Sequence, residues 1–341
     1  MKRRSGQTNH YARIDKYVAY IDSLFNDAVH KATLAASQVK PNPEKPFRLN
    51  DFPAIRARIE RISKLLFSQV EVVIKKASET EWNFSNEEND KLVKSVFPDK
   101  QPDQYMNHNL DALSSFEKRK VDGMNLSDRV WKLDPVFKSE LEMAIDIGLS
   151  DGRSAAELSR DIRQYLQKPD KLFRRVRDKN GVLQLSKAAK GYNPGTGVYR
   201  SSYKNAMRLA RTEINMAYHN ADFERWQQLD FVVGIEIELS NNHPVNDICD
   251  DLKGRYPKEF KFTGWHPQCR CHALTILASK DEFQEMNRKI LAGEDYETQS
   301  ENEIKDVPDS FKKWISDNEQ RMKGWKSKPY FVRDNVNFIH K

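Results

Sequence analysis

The sequence predicts a mainly α-helical α+β protein, in which an N-terminal helical region precedes a small domain of helices and a two- or three-stranded sheet with a Cys/His knuckle (Cys249, His266, Cys269 and Cys271). Three observations predict this class. Apolar residues recur over long stretches at the i, i+3, i+4 spacing of one buried helical face. Apolar and acidic residues alternate in Gly234–Leu239, as in a half-buried strand. All three cysteines of the chain fall within 23 residues.

Two amphipathic helices are predicted in the N-terminal region, residues 1–147. The first has its apolar stripe in residues 11–29 and ends near the Pro-Asn-Pro break at 41–43. The second begins at Asp51, a residue type that caps helices, and has its stripe in residues 55–73. Both stripes must be buried, against each other or against helices of a partner, and the sequence leaves this choice open.

Shorter elements are predicted after the second stripe. Residues 83–122 are polar and contain two prolines, so short helices and loops are expected there. A helix from Asp134 to Ile147 ends the N-terminal region. The second domain, residues 148–279, contains a helix that Ser154 and Glu157 introduce with a capping-box pattern.

The rest of the second domain is predicted to contain one long helix and two strands. Residues 202–229 carry a narrow stripe of small apolar residues, which favours close helix packing. The strand at 234–239 is expected to pair with a second strand at 273–277, and the connection between them contains all three cysteines. A C-terminal tail, residues 280–341, is predicted to be acidic, then helical over 308–322, and to dock on a surface.

The net charge of +7 is unevenly distributed. Residues 160–211 contain fourteen lysines and arginines against three aspartates, so the remaining sequence sums to −4. Such a basic segment is typical of a surface that binds a polyanion, most commonly nucleic acid. It would equally fit a solvent-exposed face whose charge is balanced by acidic residues nearby in the fold. Within it, the glycine-containing insertion 168–200 predicts a hairpin or extended arm. The residues expected to contact DNA or a partner are Arg174, Arg175, Arg177, Lys179, Lys187 and Lys190.

The clustered cysteines predict either a metal site or buried free thiols. No stretch is apolar enough for a signal peptide or a membrane span, so we expect a cytoplasmic location, where disulfides are rare. Thiolate and imidazole are the ligands that zinc prefers, and a tetrahedral site needs four. The candidate zinc ligands are Cys249, His266, Cys269 and Cys271, with His243 and His272 in reserve.

Three strings of the sequence carry a resemblance to a known family. In chain order they are Ala210-Arg211-Thr212-Glu213-Ile214-Asn215, Cys249-Asp250-Asp251-Leu252-Lys253-Gly254 and His266-Pro267-Gln268-Cys269-Arg270-Cys271. Together they resemble the C-terminal signature of the Mu F-like head-morphogenesis family of phage minor head proteins. The resemblance covers roughly residues 148–277, and the last string is its specific part.

The resemblance implies a virion component and no enzymatic activity. A member of this family is expected in the phage head, assembled in the bacterial host cytoplasm in few copies near the portal. Its expected partners are the portal protein, other procapsid components and DNA held by non-specific phosphate contacts, with no membrane; self-association of the chain is left open. The residues Arg211, Thr212, Glu213, Pro267 and Arg270 would be structural, and we expect Arg211 and Glu213 to pin their helix to the strands or the knuckle.

The sequence departs from the family pattern in two places. Many members look as if they have Cys-x-x-Cys where this sequence has Asn246-Asp247-Ile248-Cys249, although His243 could replace the missing cysteine. The insertion 168–200 lies where shorter members run directly toward the Arg-Thr-Glu helix.

The alternative function is that of a metal-dependent nuclease, or of a toxin-associated protein, acting on nucleic acid. A metal-dependent nuclease needs an open coordination position on its metal ion. The polar residues of the knuckle are expected to act as ligands or to form the turn, which leaves no such position and argues against a nuclease.

Overall fold

The computed structural model describes residues 5–39, 47–99, 101–150, 152–169, 201–240, 246–292, 300–325 and 327–339, together with positions 176–177, 180, 183–184 and 294. Helices dominate the structure and its largest sheet has three antiparallel strands, which confirms the predicted mainly helical α+β class. None of the described helices combines the length and the apolar character needed to cross a membrane.

Helices make up most of the described chain, and the strands are short. The helices are α1 (Ser5–Ala36), α2 (Pro53–Val96), α3 (Leu110–Lys118), α4 (Leu126–Trp131), α5 (Asp134–Ser150), α6 (Ala155–Gln167), α7 (Ser202–Gln228), α8 (Ile248–Leu252), α9 (Lys280–Ala292), α10 (Asp309–Lys323) and α11 (Tyr330–Arg333). The strands are β1 (Val176–Arg177), β2 (Leu183–Gln184), β3 (Val232–Glu238), β4 (Gly254–Tyr256) and β5 (His272–Leu277). Short 3-10 helices cover Leu49–Asp51, Asp103–Met106 and Val336–Phe338.

The chain forms two compact units, each built from distant parts of the sequence. Unit 1 contains Met1–Ile14, Ala77–Lys118 and Arg211–Lys341, and unit 2 contains Asp15–Lys76 and Arg119–Ala210. The sequence-based domain boundaries, after residues 147 and 279, divide the chain into consecutive segments. The compact units are instead discontinuous, and three of their boundaries fall inside α1, α2 and α7.

Unit 2 is organised around the two predicted apolar stripes. The centre of its core is Phe25 of α1, whose ring centroid lies 6.0 Å from that of Phe67 in α2. The ring of Phe25 also lies 5.6 Å from Phe137 of α5 and 5.3 Å from Tyr203 of α7. All three contacts are edge-to-face, the geometry that aromatic pairs favour. The stripes of α1 and α2 are therefore buried together within one chain.

Buried polar groups fix the start of α7 in unit 2. The backbone N–H of Ser202 donates to Glu140 Oε1 at 2.9 Å, and its hydroxyl donates to the other oxygen of the same carboxylate. Ser201 Oγ donates to the carbonyl of Leu166 in α6 at 2.6 Å. Because Glu140 is fully buried, these bonds satisfy a carboxylate that would otherwise be costly to remove from water.

The predicted helix start and hairpin are both present in unit 2. Ser154 and Glu157 form a reciprocal capping box at the start of α6, as predicted. Strands β1 and β2 pair antiparallel, with Val176 opposite Gln184, so part of the insertion 168–200 is a hairpin. Most of the remaining insertion lies outside the described residues.

The prediction of loops and short helices over residues 83–122 was wrong for its first part, because α2 continues without a break to Val96. Three of the polar residues there, Ser85, Asn86 and Asn89, are fully buried. Ser85 and Asn89, both fully buried, donate to Asp222 Oδ1 of α7 at 2.7 and 2.8 Å. Asn89 Oδ1 in turn accepts a 2.9 Å hydrogen bond from Trp226 Nε1. We call Ser85, Asn89, Asp222 and Trp226 the polar seam of unit 1.

The sheet of unit 1 has the strand order β4–β3–β5, with both neighbouring pairs antiparallel. The predicted strand pair corresponds to β3 and β5. The C-terminal tail packs in the same unit, where Phe311 lies 5.4 Å from Phe260 and Phe331 lies 5.4 Å from Trp265, measured between ring centroids. Phe311 and Phe331 are fully buried. The aromatic residues of the tail therefore complete the core that surrounds the knuckle.

Candidate metal centre

The three cysteines meet inside unit 1, in the core that also contains the apolar side chains of β3. Their exposed fractions are 1% for Cys249, 3% for Cys269 and 1% for Cys271. All three Sγ atoms lie within 4.8 Å of one another, and those of Cys249 and Cys269 are 3.8 Å apart. All three cysteines are free thiols.

Cys249 is held by a helix cap. Asp247 is the N-cap of α8, and its Oδ1 accepts from the backbone N–H of Cys249 at 2.7 Å. Asp250 closes a reciprocal capping box by accepting from the backbone N–H of Asp247 at 3.0 Å. The local sequence Asp-Ile-Cys-Asp therefore fixes the cysteine at the beginning of a helix.

A tight turn places the other two cysteines. The backbone N–H of Cys269 donates to the carbonyl of His266 at 3.0 Å, and Gln268 between them has a φ of 65°. Gly264 precedes the turn with a φ of 112°, and a side chain at this position would place its Cβ 3.1 Å from Cys269 Cβ. Both the backbone conformation and the close approach favour glycine there.

His266 presents one ring nitrogen to the cysteines. Its Nδ1 lies 2.9 Å from the carbonyl oxygen of Pro267, so Nδ1 carries the proton when the ring is neutral. Its Nε2 lies 3.2 Å from Cys249 Sγ and 3.3 Å from Asp247 Oδ2. This is the arrangement of many metal-binding histidines, in which a bond to the second nitrogen fixes the tautomer.

Two sets of potential ligands share Cys249. One consists of the three buried thiols, and the other consists of Asp247, Cys249 and His266; within each set all ligand atoms lie within 4.8 Å of one another. The three cysteines together with His266 could therefore hold a metal ion. The second set is more accessible, since the side chains of His266 and Asp247 are 36% and 34% exposed.

The thiols are also coupled electrostatically. Hydrogen bonds from Cys249 and Cys271 hold the pKa of the Cys269 thiol well below its usual range. The bond that Cys249 makes to Cys269 raises the pKa of Cys249 in turn. A metal ion bound among the three sulfurs would displace thiol protons, because the thiolate is the form that ligates a metal.

The Arg-Thr-Glu string of α7 contacts the turn of the knuckle. Thr212 Oγ1 accepts from the backbone N–H of Gln268 at 3.2 Å, and Glu213 is only 2% exposed. Arg270 extends toward the start of α1, where its guanidinium carbon lies 5.9 Å from the ring centroid of Tyr11. The string at 210–215 thus contacts the His-Pro-x-Cys-Arg-Cys string.

The first turns of α1 form a part of the centre that no sequence pattern predicts. Tyr11 Oη donates to the carbonyl of Cys271 at 2.7 Å, although the two residues are 260 positions apart. His10 Nδ1 lies 2.6 Å from Glu81 Oε2 and its Nε2 lies 3.0 Å from Asn215 Oδ1. Such separations leave no local signal in the sequence.

A buried ion pair supports this contact. Arg13 donates to both carboxylate oxygens of Glu81, from Nε at 2.6 Å and from Nη2 at 2.7 Å. Burial by itself would raise the pKa of Glu81, but hydrogen bonds from His10 and Arg13 lower it overall. Glu81 therefore stays ionised in the interior, where it has charged or hydrogen-bonding partners on two sides.

His219 of α7 lies beside the knuckle and is 2% exposed. Its ring centroid is 5.3 Å from that of Phe262 and 5.7 Å from that of Tyr218. Burial, reinforced by nearby His10, lowers the pKa of His219 to about 3. This histidine is therefore neutral at physiological pH.

The remaining predicted site residues do not join the knuckle within the described parts of the chain. His272 faces the carboxylate of Glu238 across the β3–β5 pairing, with Nε2 3.5 Å from Oε2. His243 lies outside the described residues, as do Arg174, Arg175, Lys179, Lys187 and Lys190 and the side chain of Arg177.

Comparison with known proteins identifies no relative: no family model, no curated protein and no solved structure matches the chain.

Proposed function

We propose that the chain is a phage minor head protein of the Mu F-like type, which enters the head during assembly near the portal and contacts the portal protein and packaged DNA. The hydrogen bond from Gln268 to Thr212 is the observation that carries this proposal. It joins two of the three strings that resemble the family signature, although the bonded residues are 56 positions apart in the chain. A signature that forms one structural motif requires its strings to meet in space, and these two strings do.

Zinc is the ion that suits the knuckle. Two thiolates bound to a tetrahedral zinc at about 2.3 Å are about 3.8 Å apart, and the sulfurs of Cys249 and Cys269 are separated by 3.8 Å. Three cysteines and a histidine form one of the usual structural sets for zinc. The ion would supply positive charge that holds the thiolates together, and the residues would cross-link α8 to the beginning of β5.

The charge of the two units supports a DNA contact in unit 2. The sequence of unit 2 contains 30 lysines and arginines against 18 acidic residues, whereas unit 1 contains 27 against 32. A phosphate backbone is attracted to the first composition and not to the second. The predicted arm residues belong to unit 2, so they lie in the basic part of the chain.

Salt dependence tests the DNA contact. If six phosphates are neutralised, log K against log salt has a slope of about −5. Replacing Arg174, Arg175, Arg177 and Lys179 with Gln should flatten this slope by a few units. The matched control removes the same number of charges from exposed side chains of unit 1, by replacing Arg288, Lys305, Lys312 and Lys323 with Gln, and should leave the slope unchanged. Equal slopes for the two variants would assign the arm to an acidic protein surface instead.

The head assignment is tested by incorporation. We expect the full-length chain to co-sediment with purified procapsids and to cross-link to the portal protein when it is expressed with the other head genes. Deleting its gene should lower the yield of DNA-filled heads, and a plasmid-borne copy should restore the yield. Heads that assemble and fill normally without the chain, and that never contain it, would refute the proposal.

A further inference from the structure

Asp247 occupies the accessible edge of the knuckle with its two carboxylate oxygens in different places. Oδ1 caps α8 by accepting from the backbone N–H of Cys249. Oδ2 lies 3.3 Å from His266 Nε2, the same nitrogen that faces Cys249 Sγ. The cap therefore holds the carboxylate in a position where its second oxygen meets the prospective ligand atoms of two other residues.

The distance between Asp247 and His266 suits two ligands of one ion. A carboxylate oxygen and an imidazole nitrogen bound to a tetrahedral zinc are about 3.4 Å apart, close to the 3.3 Å that separates Asp247 Oδ2 from His266 Nε2. A direct N–H···O hydrogen bond is usually shorter, between about 2.7 and 3.2 Å.

The carboxylate also lies on the metal side of the ring. Carboxylates that orient a metal-bound histidine from outside contact its other nitrogen. In this protein the carbonyl of Pro267 fills that role, because it lies 2.9 Å from His266 Nδ1. Asp247 is therefore placed as a ligand and not as an outer support of the imidazole.

We propose that Asp247 is a ligand of the metal ion, binding it beside His266 on the side of the knuckle that faces solvent. The three buried thiolates of the knuckle hold the ion from the interior. Asp247 and His266 bind from the partly exposed side, so the site offers five candidate ligands, one more than the four positions of a tetrahedral ion. This inference rests on the proposed zinc site.

The test compares double variants of the full-length chain. His266→Ala removes the imidazole, and it is combined either with Asp247→Asn or with Asp251→Asn. Asparagine keeps the capping oxygen of residue 247 but removes the anionic ligand. Asp251 is an exposed acid on the same helix, so its replacement removes the same charge without touching the site.

Zinc affinity is measured by competition with a chromophoric chelator, and cobalt(II) absorption reports the coordination. We expect His266→Ala/Asp251→Asn to bind like His266→Ala alone. We expect His266→Ala/Asp247→Asn to bind more weakly by on the order of a hundredfold, the share of one ligand in a structural zinc site. Equal affinities for the two double variants would overturn the role of Asp247 while leaving the zinc site intact. An unmodified chain that binds no zinc would overturn both proposals.

A second measurement applies if His266→Ala does not fold. In the chain with an intact His266, Asp247→Asn should transfer zinc to excess chelator roughly tenfold faster than Asp251→Asn, because no carboxylate retains the ion when the imidazole leaves. Identical transfer rates would also overturn the inference.

Discussion

Replacing His219 with glutamine should make the stability of the protein less sensitive to acid. The side chain is 2% exposed and burial lowers its pKa to about 3, against an ordinary value of 6.5. Between these two pH values the unfolded chain binds a proton at residue 219 that the folded chain does not bind. The contribution of His219 to stability is therefore present above pH 6.5 and is lost as the pH falls toward 3.

The size of the effect follows from the shift. Each pH unit below 6.5 removes about 1.4 kcal/mol from the free energy of unfolding, so at pH 4.5 the loss from His219 is roughly 3 kcal/mol. Glutamine has a similar length and does not titrate, so His219→Gln should lack this loss, whatever its stability at neutral pH.

The assay is urea unfolding of the full-length chain at several pH values from 7 to about 4.5. Acid also releases metal from thiolates, so the informative quantity is the difference in pH dependence between variants. His30→Gln is the control, because His30 is exposed on α1. We expect the control to parallel the unmodified protein and His219→Gln to lose stability more slowly. Parallel curves for all three proteins would refute the reasoning.

Three other outcomes concern packing, the polar seam and catalysis. Phe25→Ala should lower the free energy of unfolding by about 3–5 kcal/mol, measured by urea unfolding, because the ring is packed against three others in unit 2; a loss below 1 kcal/mol would contradict this packing. Asp222→Ala should lower the free energy of unfolding by about 1–3 kcal/mol for each donor left unsatisfied, since Ser85 and Asn89 both donate to the carboxylate of Asp222. An unchanged free energy of unfolding would contradict the importance of these two hydrogen bonds. Supercoiled plasmid should remain intact with magnesium, manganese or zinc, as judged by gel electrophoresis, and metal-dependent nicking by the purified chain would instead favour the nuclease alternative.

Elements with a local signal could be predicted from the sequence. The stripes of α1 and α2 follow helical spacing, and the Ser154–Glu157 box marks the start of α6 within a few residues of chain. The alternation of β3 likewise predicts a strand with one buried face. In each case the information lies in neighbouring residues, because the periodicity of an element determines which of its side chains share a face.

Long-range polar contacts could not be predicted. Ser85 and Asn89 look like residues of a solvated loop, and only their bonds to Asp222 explain why they lie in the interior of a helix pair. The same applies to Tyr11, whose partner at Cys271 is 260 residues away. For the knuckle, the clustering of cysteines indicated a site, but the place of Asp247 depends on the cap of a five-residue helix that only the structure reveals.

The contact between Tyr11 and Cys271 determines when unit 1 can be completed during synthesis on the ribosome. Unit 2 ends at Ala210, so all of its residues have been made while most of unit 1 is still being translated. His10 and Tyr11 leave the ribosome long before their partners at Asn215 and Cys271 are made. Until then the start of α1 has only the part of its native cover that Glu81 of α2 supplies. The nascent chain is therefore most exposed to misassociation before the cysteines emerge, and a chaperone that binds this first segment would protect it during that interval.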